Sequence, residues 1–181
     1  INYRAINQAK LKWDISFTAG VTNNKVSTVP DGSFLTNFAG ATFITKQGSA
    51  ANMYYGLTAN GVFATDAAAA ASGLQRIMPD GSFRPFTGGD VIYSDINGDK
   101  IIDNNDRSEI GNPNPNWIGG FTNKIMWKRF TFDALFTFST GNDVYNYLRH
   151  QLESLNSTNN QLQSANNRWR SNGQVTNMPK A

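Results

Sequence analysis

From Leu11 to Val21 the chain alternates without a break: Leu11, Trp13, Ile15, Phe17, Ala19 and Val21 share one parity, and Lys12, Asp14, Ser16, Thr18 and Gly20 take the other. An extended strand puts successive side chains on opposite faces, so this stretch can have one greasy and one wet face as a strand but not as a helix. The pattern recurs after Asn116. Phe121, Ile125 and Trp127 stand against Thr122, Lys124 and Lys128; then Phe130, Phe132, Ala134, Phe136 and Phe138 stand against Thr131, Asp133, Thr137 and Ser139. Ile1, Tyr3 and Ala5 share a parity, with Ile6 on the other, and the short Gln8-Ala9-Lys10 link predicts a hairpin with the strand that follows. Each arm is about ten residues long, the length at which a tilted strand crosses a bilayer.

A soluble antiparallel sheet with one wet face has the same period, so alternation leaves two architectures open. Connection lengths separate them. The links at Gln8 to Lys10 and Lys128 to Arg129 are short, whereas Thr22 to Asn116 forms a very long connection. Running up along 11–21 and back along 117–127 puts both short turns at one end, the arrangement of an outer-membrane barrel with short turns on one side and long loops on the other. A soluble domain would need a very long insertion. Trp13 and Trp127 fall near the short-turn ends, where an interfacial aromatic girdle sits, although core tryptophans give the same spacing. The reading is all-β: an antiparallel transmembrane β-barrel segment, with 1–21 and 117–140 as hairpin strands and 22–116 and 141–181 as extracellular loops carrying short helices. Lys12, Asp14, Thr18, Lys124, Asp133 and Thr137 are expected to face the lumen, and Phe130, Phe132, Phe136 and Phe138 the lipid. A secreted calcium-dependent carbohydrate-binding β-sandwich module is the alternative, and it would pack those phenylalanines against a second sheet.

Composition excludes several classes. The net charge of +3 comes from scattered Lys and Arg, so no nucleic-acid surface is expected. With no cysteine there is neither a disulfide framework nor a thiolate metal site. No run of about 18 apolar residues occurs, so no membrane-spanning helix is encoded. The chain opens at Ile1 in what reads as mid-strand, which predicts a part of a longer polypeptide.

Within the long connection, Thr65-Asp66, the alanines to Ala71 and Ser72-Gly73 read as a short capped helix. Ala51 to Phe63 predicts a small extended pair, with Tyr54 and Tyr55 buried under the loop or stacked on a sugar or peptide. Val144, Leu148, Leu152 and Leu155 recur at helical spacing, which predicts a helix from about Asp143 to Leu155. The polar tail from Asn156 to Ala181 predicts no strand.

Asp95 to Asp106 follows the spacing of a calcium loop. Asp95, Asn97 and Asp99 take positions 1, 3 and 5, the Ile101 carbonyl position 7, Asp103 position 9 and Asp106 position 12. Ile102 is the apolar anchor. Oxygen donors in this number suit a hard cation, so calcium is the expected ion. Position 6, usually glycine because the backbone turns left-handed there, is Lys100, which costs on the order of 1 kcal/mol and adds repulsion to the ion. An Asx-turn-rich loop without an ion is the other reading.

Catalysis is not expected. His150 is the only histidine and reads as a solvated or packed side chain; no serine nucleophile elbow or HExxH motif occurs. Asp103 and Glu109 could form a carboxylate pair for glycoside hydrolysis, but Asp103 is the simpler fit to the ion loop.

Several ordered motifs together resemble the SusC/RagA family of TonB-dependent outer-membrane transporters of Bacteroidetes. They are Asp95-Ile96-Asn97-Gly98-Asp99, Asp103, Asp106-Arg107, Ile110-Gly111-Asn112-Pro113-Asn114-Pro115, Gly119-Gly120-Phe121-Thr122-Asn123 and Gly141-Asn142-Asp143-Val144-Tyr145-Asn146. Tyr55-Gly56, Gly61-Val62-Phe63 and Asn167-Arg168-Trp169 are similar to its flanking segments, and the likeness runs from about Leu11 onward. Family members usually carry glycine where this chain has Lys100. The resemblance implies a 22-stranded barrel, of which this chain would supply about four strands, with a plug and TonB-box expected upstream of Ile1. It also implies a SusD-like surface lipoprotein as partner, glycans or peptides as substrate, and energy relayed by the TonB complex.

Overall fold

In the computed structural model, which describes residues 1–155 and 160–181, the alternating segments are strands. In chain order the strands are β1 (Asn2–Asn7), β2 (Leu11–Val21), β3 (Ser33–Phe38), β4 (Ala41–Lys46), β5 (Met53–Leu57), β6 (Ala59–Val62), β7 (Gln75–Ile77), β8 (Phe83–Pro85), β9 (Val91–Tyr93), β10 (Ile101–Ile102), β11 (Arg107–Gly111), β12 (Trp117–Trp127) and β13 (Phe130–Thr140). Two short helices, α1 (Asp66–Ser72) and α2 (Tyr147–Glu153), complete the regular elements used below. The chain divides into two compact units: Ile1–Leu35, Ile44–Met53 and Gly111–Val144 form the first, and Thr36–Phe43, Tyr54–Ile110 and Tyr145–Ala181 the second.

The first unit is organised by a four-stranded sheet in the order β1-β2-β12-β13, antiparallel at every pairing. Its register keeps the two parities apart. Trp13 lies opposite Ile125 and Ile125 opposite Phe132; Phe17, Phe121 and Phe136 line up in the same way. One face is therefore almost wholly apolar, and it is not covered: Phe130 is 72%, Phe132 61% and Phe136 61% exposed. A polar residue on it, Asn123, accepts a hydrogen bond from Trp13 Nε1 at 3.1 Å, so the amide oxygen is satisfied within the face. Gly119 leaves room for the Phe138 ring, which would sit 2.4 Å from a Cβ there and stacks on Phe17 at 6.2 Å.

On the opposite face Arg4, Asp14, Lys124 and Asp133 fall in one row across the four strands with alternating charge. Arg4 pairs with Asp14 at 2.6 Å and Lys124 with Asp133 at 3.5 Å. Two details depart from simple alternation. A register shift between Arg4 and Ile6 brings Ile6 opposite Trp13, onto the apolar face and not the polar one that its parity predicts, because a bulge inserts one residue and inverts the parity beyond it. Met126, Leu135 and Ile118 interrupt the polar face, which is thus less polar than the charged residues alone suggest.

In the second unit the buried core is Phe63, Ala69, Leu74, Phe86 and Ile102. Helix α1 presents Ala69 to it; Thr65 caps its start by accepting from the Ala68 amide at 3.0 Å, and Gly73 at φ 69 closes its end in the left-handed conformation. Its sheets are short: β10-β7-β8, in which β10 and β7 run parallel, and the β6-β9 pair. Strands β4 and β5 are the inner members of a sheet ordered β11-β5-β4-β3. The expected pair within 51–63 is corrected: β5 and β6 both form but belong to different sheets, because each finds a longer-range partner. Helix α2 is also shorter than its apolar spacing predicts. Asn146 caps it by accepting from the Arg149 amide at 2.9 Å. Asp143 is held outside it, exchanging hydrogen bonds with Asn112: its backbone amide donates to the Asn112 carbonyl and its carboxylate accepts from the Asn112 amide, both at 2.7 Å.

Residues 156–159, where the polar tail begins, lie outside the described residues. Further on, the tail makes one parallel bridge among the described residues, Arg168 to Met178. It is tied down by Trp169, which donates from Nε1 to the Ala64 carbonyl at 3.0 Å and lies where a Cβ on Gly89 would come within 2.5 Å of its ring. Replacing Trp169 by Ala is expected to loosen this attachment by about 2–3 kcal/mol. Hydrogen exchange at Gly89 and Lys180, whose amides are bonded here to Phe63 and Gly89 carbonyls, measures it; unchanged protection would mean that the indole holds nothing.

Candidate functional site

The Asp95–Asp106 loop closes on itself through its own carboxylates. Asp95 accepts from the amides of Gly98 at 2.7 Å and Lys100 at 3.0 Å; Asn97 accepts from Asp99 at 3.1 Å, and Asp99 from Ile101 at 2.8 Å. Each is a side chain capturing backbone a few residues ahead, the local competition that Asx residues offer. Lys100 does take the left-handed conformation that its position demands, at φ 68, next to Gly98 at φ 78. Ile102, 7% exposed, anchors the loop in the core. Asp103 accepts from the Asn105 amide at 2.6 Å.

Asp106 differs from the rest in being fully buried, with 0% exposure. Its two oxygens accept from the amides of Ile96 at 2.8 Å and Asp103 at 2.9 Å, so one carboxylate clamps both arms of the loop. Among the described residues no three His, Cys, Asp or Glu side chains converge as a metal cage. A carboxylate oxygen that accepts one N–H keeps a second lone pair, so Asp95, Asn97, Asp99 and Asp103, at the exposed side of the loop, retain capacity toward a cation. Asp106 has the least to give, since it is fully buried and its two oxygens already accept from the Ile96 and Asp103 amides.

Two features of the second unit escaped sequence reasoning. Asp90, 8% exposed, accepts from the Thr87 amide at 2.8 Å and hydroxyl at 3.0 Å and faces Lys180 at 3.2 Å and Arg76 at 3.7 Å. Burial pushes its carboxyl up, but the Thr87 hydrogen bonds and the Lys180 ammonium outweigh burial and hold it below the ordinary carboxylate range. The Thr87-Gly88-Gly89-Asp90 turn was the available signal; Lys180, 90 residues on, was not foreseeable. The other feature is a cavity of about 500 Å³ bordered by Gly40, Tyr54, Tyr93, Arg107, Tyr145 and His150. The rings of Phe43, Tyr54, Tyr145 and His150 follow one another at centroid distances of 5.0, 6.5 and 6.0 Å. Tyr54 and Tyr55 are thus half-buried at a cavity, and the exposed His150 packs its ring against Tyr145.

The mostly antiparallel all-β fold, with a greasy sheet face opposite a charged one, is that of a transmembrane β-barrel wall segment carrying folded loops. Comparison with known proteins agrees. TonB-dependent receptor P3 of Formosa agariphila is 28% identical over 99% of this chain and 18% of its own length. TonB-dependent receptor P39 of the same organism is 45% identical over 35% of this chain and 6% of its own length. A chain of the RagAB peptide transporter superposes with a TM-score of 0.67 at 17% identity, over 99% of this chain and 19% of that one. No family model matches. The chain is thus similar in sequence to TonB-dependent receptors and in fold to a chain of the RagAB transporter, and it spans about a fifth of the relatives that it matches along its full length.

Two outcomes follow from the site. Asp106→Ala orphans two part-buried amides and is expected to destabilise the loop by about 1–3 kcal/mol, read as faster hydrogen exchange at Ile96 and Asp103; exchange no faster than in the parent would remove Asp106 from its clamping role. For Asp90 the folded carboxyl titrates below its unfolded value, so its contribution is complete at neutral pH and is lost as pH falls through roughly 4 and toward the folded value. Asp90→Asn is expected to abolish that part of the acid dependence of exchange at Thr87, and an unaltered acid profile would show that Asp90 does not carry it.

Proposed function

We propose that this chain forms part of the wall and extracellular loops of an outer-membrane, TonB-dependent active importer of glycans or peptides, working with a SusD-like surface lipoprotein. The observation that carries the reading is the four-stranded sheet: its aromatic face stays open while its other face holds paired charges. In lipid every backbone polar group must be paired within the protein, and β12, paired over all 11 residues with β2 on one side and β13 on the other, meets that demand. The exposed phenylalanines are suited to acyl chains, and Arg4, Asp14, Lys124 and Asp133 to a wet lumen. The sandwich alternative lacks support, since no second sheet covers Phe130, Phe132 or Phe136 among the described residues. Its relatives are named as receptors, which supports transport and not catalysis. Proton-motive energy would reach the barrel through the TonB complex acting on another part of the receptor. RagAB is a peptide transporter, but at 17% identity the likeness does not choose between peptide and glycan.

Calcium belongs to the same proposal. Asp95, Asn97, Asp99, the Ile101 carbonyl and Asp103 would hold the ion on the exposed side of the loop, with Asp106 clamping the chain beneath. The ion's role is to stiffen an extracellular loop, where millimolar calcium compensates for a weak site.

In the intact receptor, Phe132→Lys with Phe136→Lys is expected to cost about 2–4 kcal/mol per residue at mid-bilayer and to strip the protein from the outer-membrane fraction, whereas Thr131→Lys is tolerated. Normal membrane assembly of the double variant would defeat the barrel orientation. Calcium at about 1 mM is expected to slow exchange at Gly98 and Lys100, and Asp95→Asn to remove the effect; indifference to calcium would leave the loop as an ion-free staple.

A further inference from the structure

The cavity in the second unit has the composition of a ligand site. Tyr145 lines it with its ring, while its hydroxyl lies buried beside Gly40 with no hydrogen-bond partner among the described residues. Arg107 is half-buried on the same cavity, and among the described residues no carboxylate pairs with it. Gly40, at φ 82, brings the turn so close that a Cβ would lie 3.3 Å from His150 Nε2 and 3.4 Å from the Tyr145 hydroxyl. At about 500 Å³ the space is that of a small-ligand pocket.

We propose that this cavity binds one residue of an acidic oligosaccharide, a pyranose ring bearing a carboxylate. Arg107 would take the carboxylate, whose planar geometry matches the guanidinium fork. The tyrosine rings offer apolar faces to the C–H face of the sugar. A peptide is less well served. Extended peptides gain affinity by adding to a free strand edge, and β4 and β5, which border the cavity, are inner strands with both edges occupied. The inference deepens the import reading, on which it rests for the source of the ligand, and it names what distinguishes one cargo from another.

The test uses the intact receptor in detergent and titrates tetrasaccharides of galacturonate and of glucuronate, the neutral cellotetraose, and an acidic tetrapeptide, by calorimetry. An acidic tetrasaccharide is expected to bind at least roughly tenfold tighter than the neutral one, a charge-assisted pair being stronger than a neutral contact. Arg107→Met is expected to erase that preference by weakening the acidic sugar about tenfold, and Arg107→Lys to restore part of it. Equal binding of acidic and neutral sugars, no binding of either, tighter binding of the peptide, or indifference to Arg107→Met each overturns the site. Uptake of the labelled acidic sugar by cells separates the two readings. Binding without TonB-dependent uptake refutes import and leaves the site standing; uptake unaffected by Arg107→Met refutes the site and leaves import standing.

Discussion

The pairing of β2 with β12 is the constraint on which the first unit depends. It joins segments some hundred residues apart in sequence, Leu11 to Trp127 at one end and Val21 to Trp117 at the other, without a slip. Because side chains alternate with a period of two, a shift by one residue would turn every phenylalanine of one strand toward the charged face. Register is therefore fixed by chemistry on both faces at once. Trp13 and Asn123 lock it from the apolar side, and the alternating row of Arg4, Asp14, Lys124 and Asp133 from the polar side. The closing entropy of so long a connection rises only slowly with length, so a ladder of this extent is able to hold a folded excursion between its strands.

That excursion is built on a different economy. Its apolar core is small, and much of its order comes from side chains that capture backbone groups: Thr65 at a helix start, Asp106 across a loop, Asp90 in a turn, Asn112 and Asn114 before β12. Asx-rich composition, which elsewhere signals unstructured loops, here supplies the acceptors that replace long strands and helices. The same strategy explains why one loop can look like an ion site and still be folded by its own hydrogen bonds. Asx residues spaced to surround a cation are also spaced to reach the next amides.

An aromatic cavity and a greasy sheet face are distinct uses of the same residue type. On β13 the rings lie open on a largely apolar face. Around Tyr145 the rings border the Arg107 guanidinium, a polar group of the kind that the ring-bearing sheet face lacks.

Alternation over 11–21 and 117–140 was sufficient to define the strands, their faces and the short turns, because period-two patterning is a local property that any half-wet sheet must satisfy. The capped helix at Asp66–Ser72 and the left-handed Lys100 were legible for the same reason, since caps and turns are decided within a few residues. Where long-range partners compete, local signals gave way: a bulge moved Ile6 to the other face, β5 and β6 parted into different sheets, and Asp143 was drawn from a helix start to Asn112. The ladder from β2 to β12, the clasp of Trp169 and Lys180 on the Gly88-Gly89 turn, and the meeting of Tyr54, Arg107 and Tyr145 around one cavity arose only in three dimensions. Their members lie tens of residues or more apart, and no spacing rule connects residues that only tertiary packing brings together.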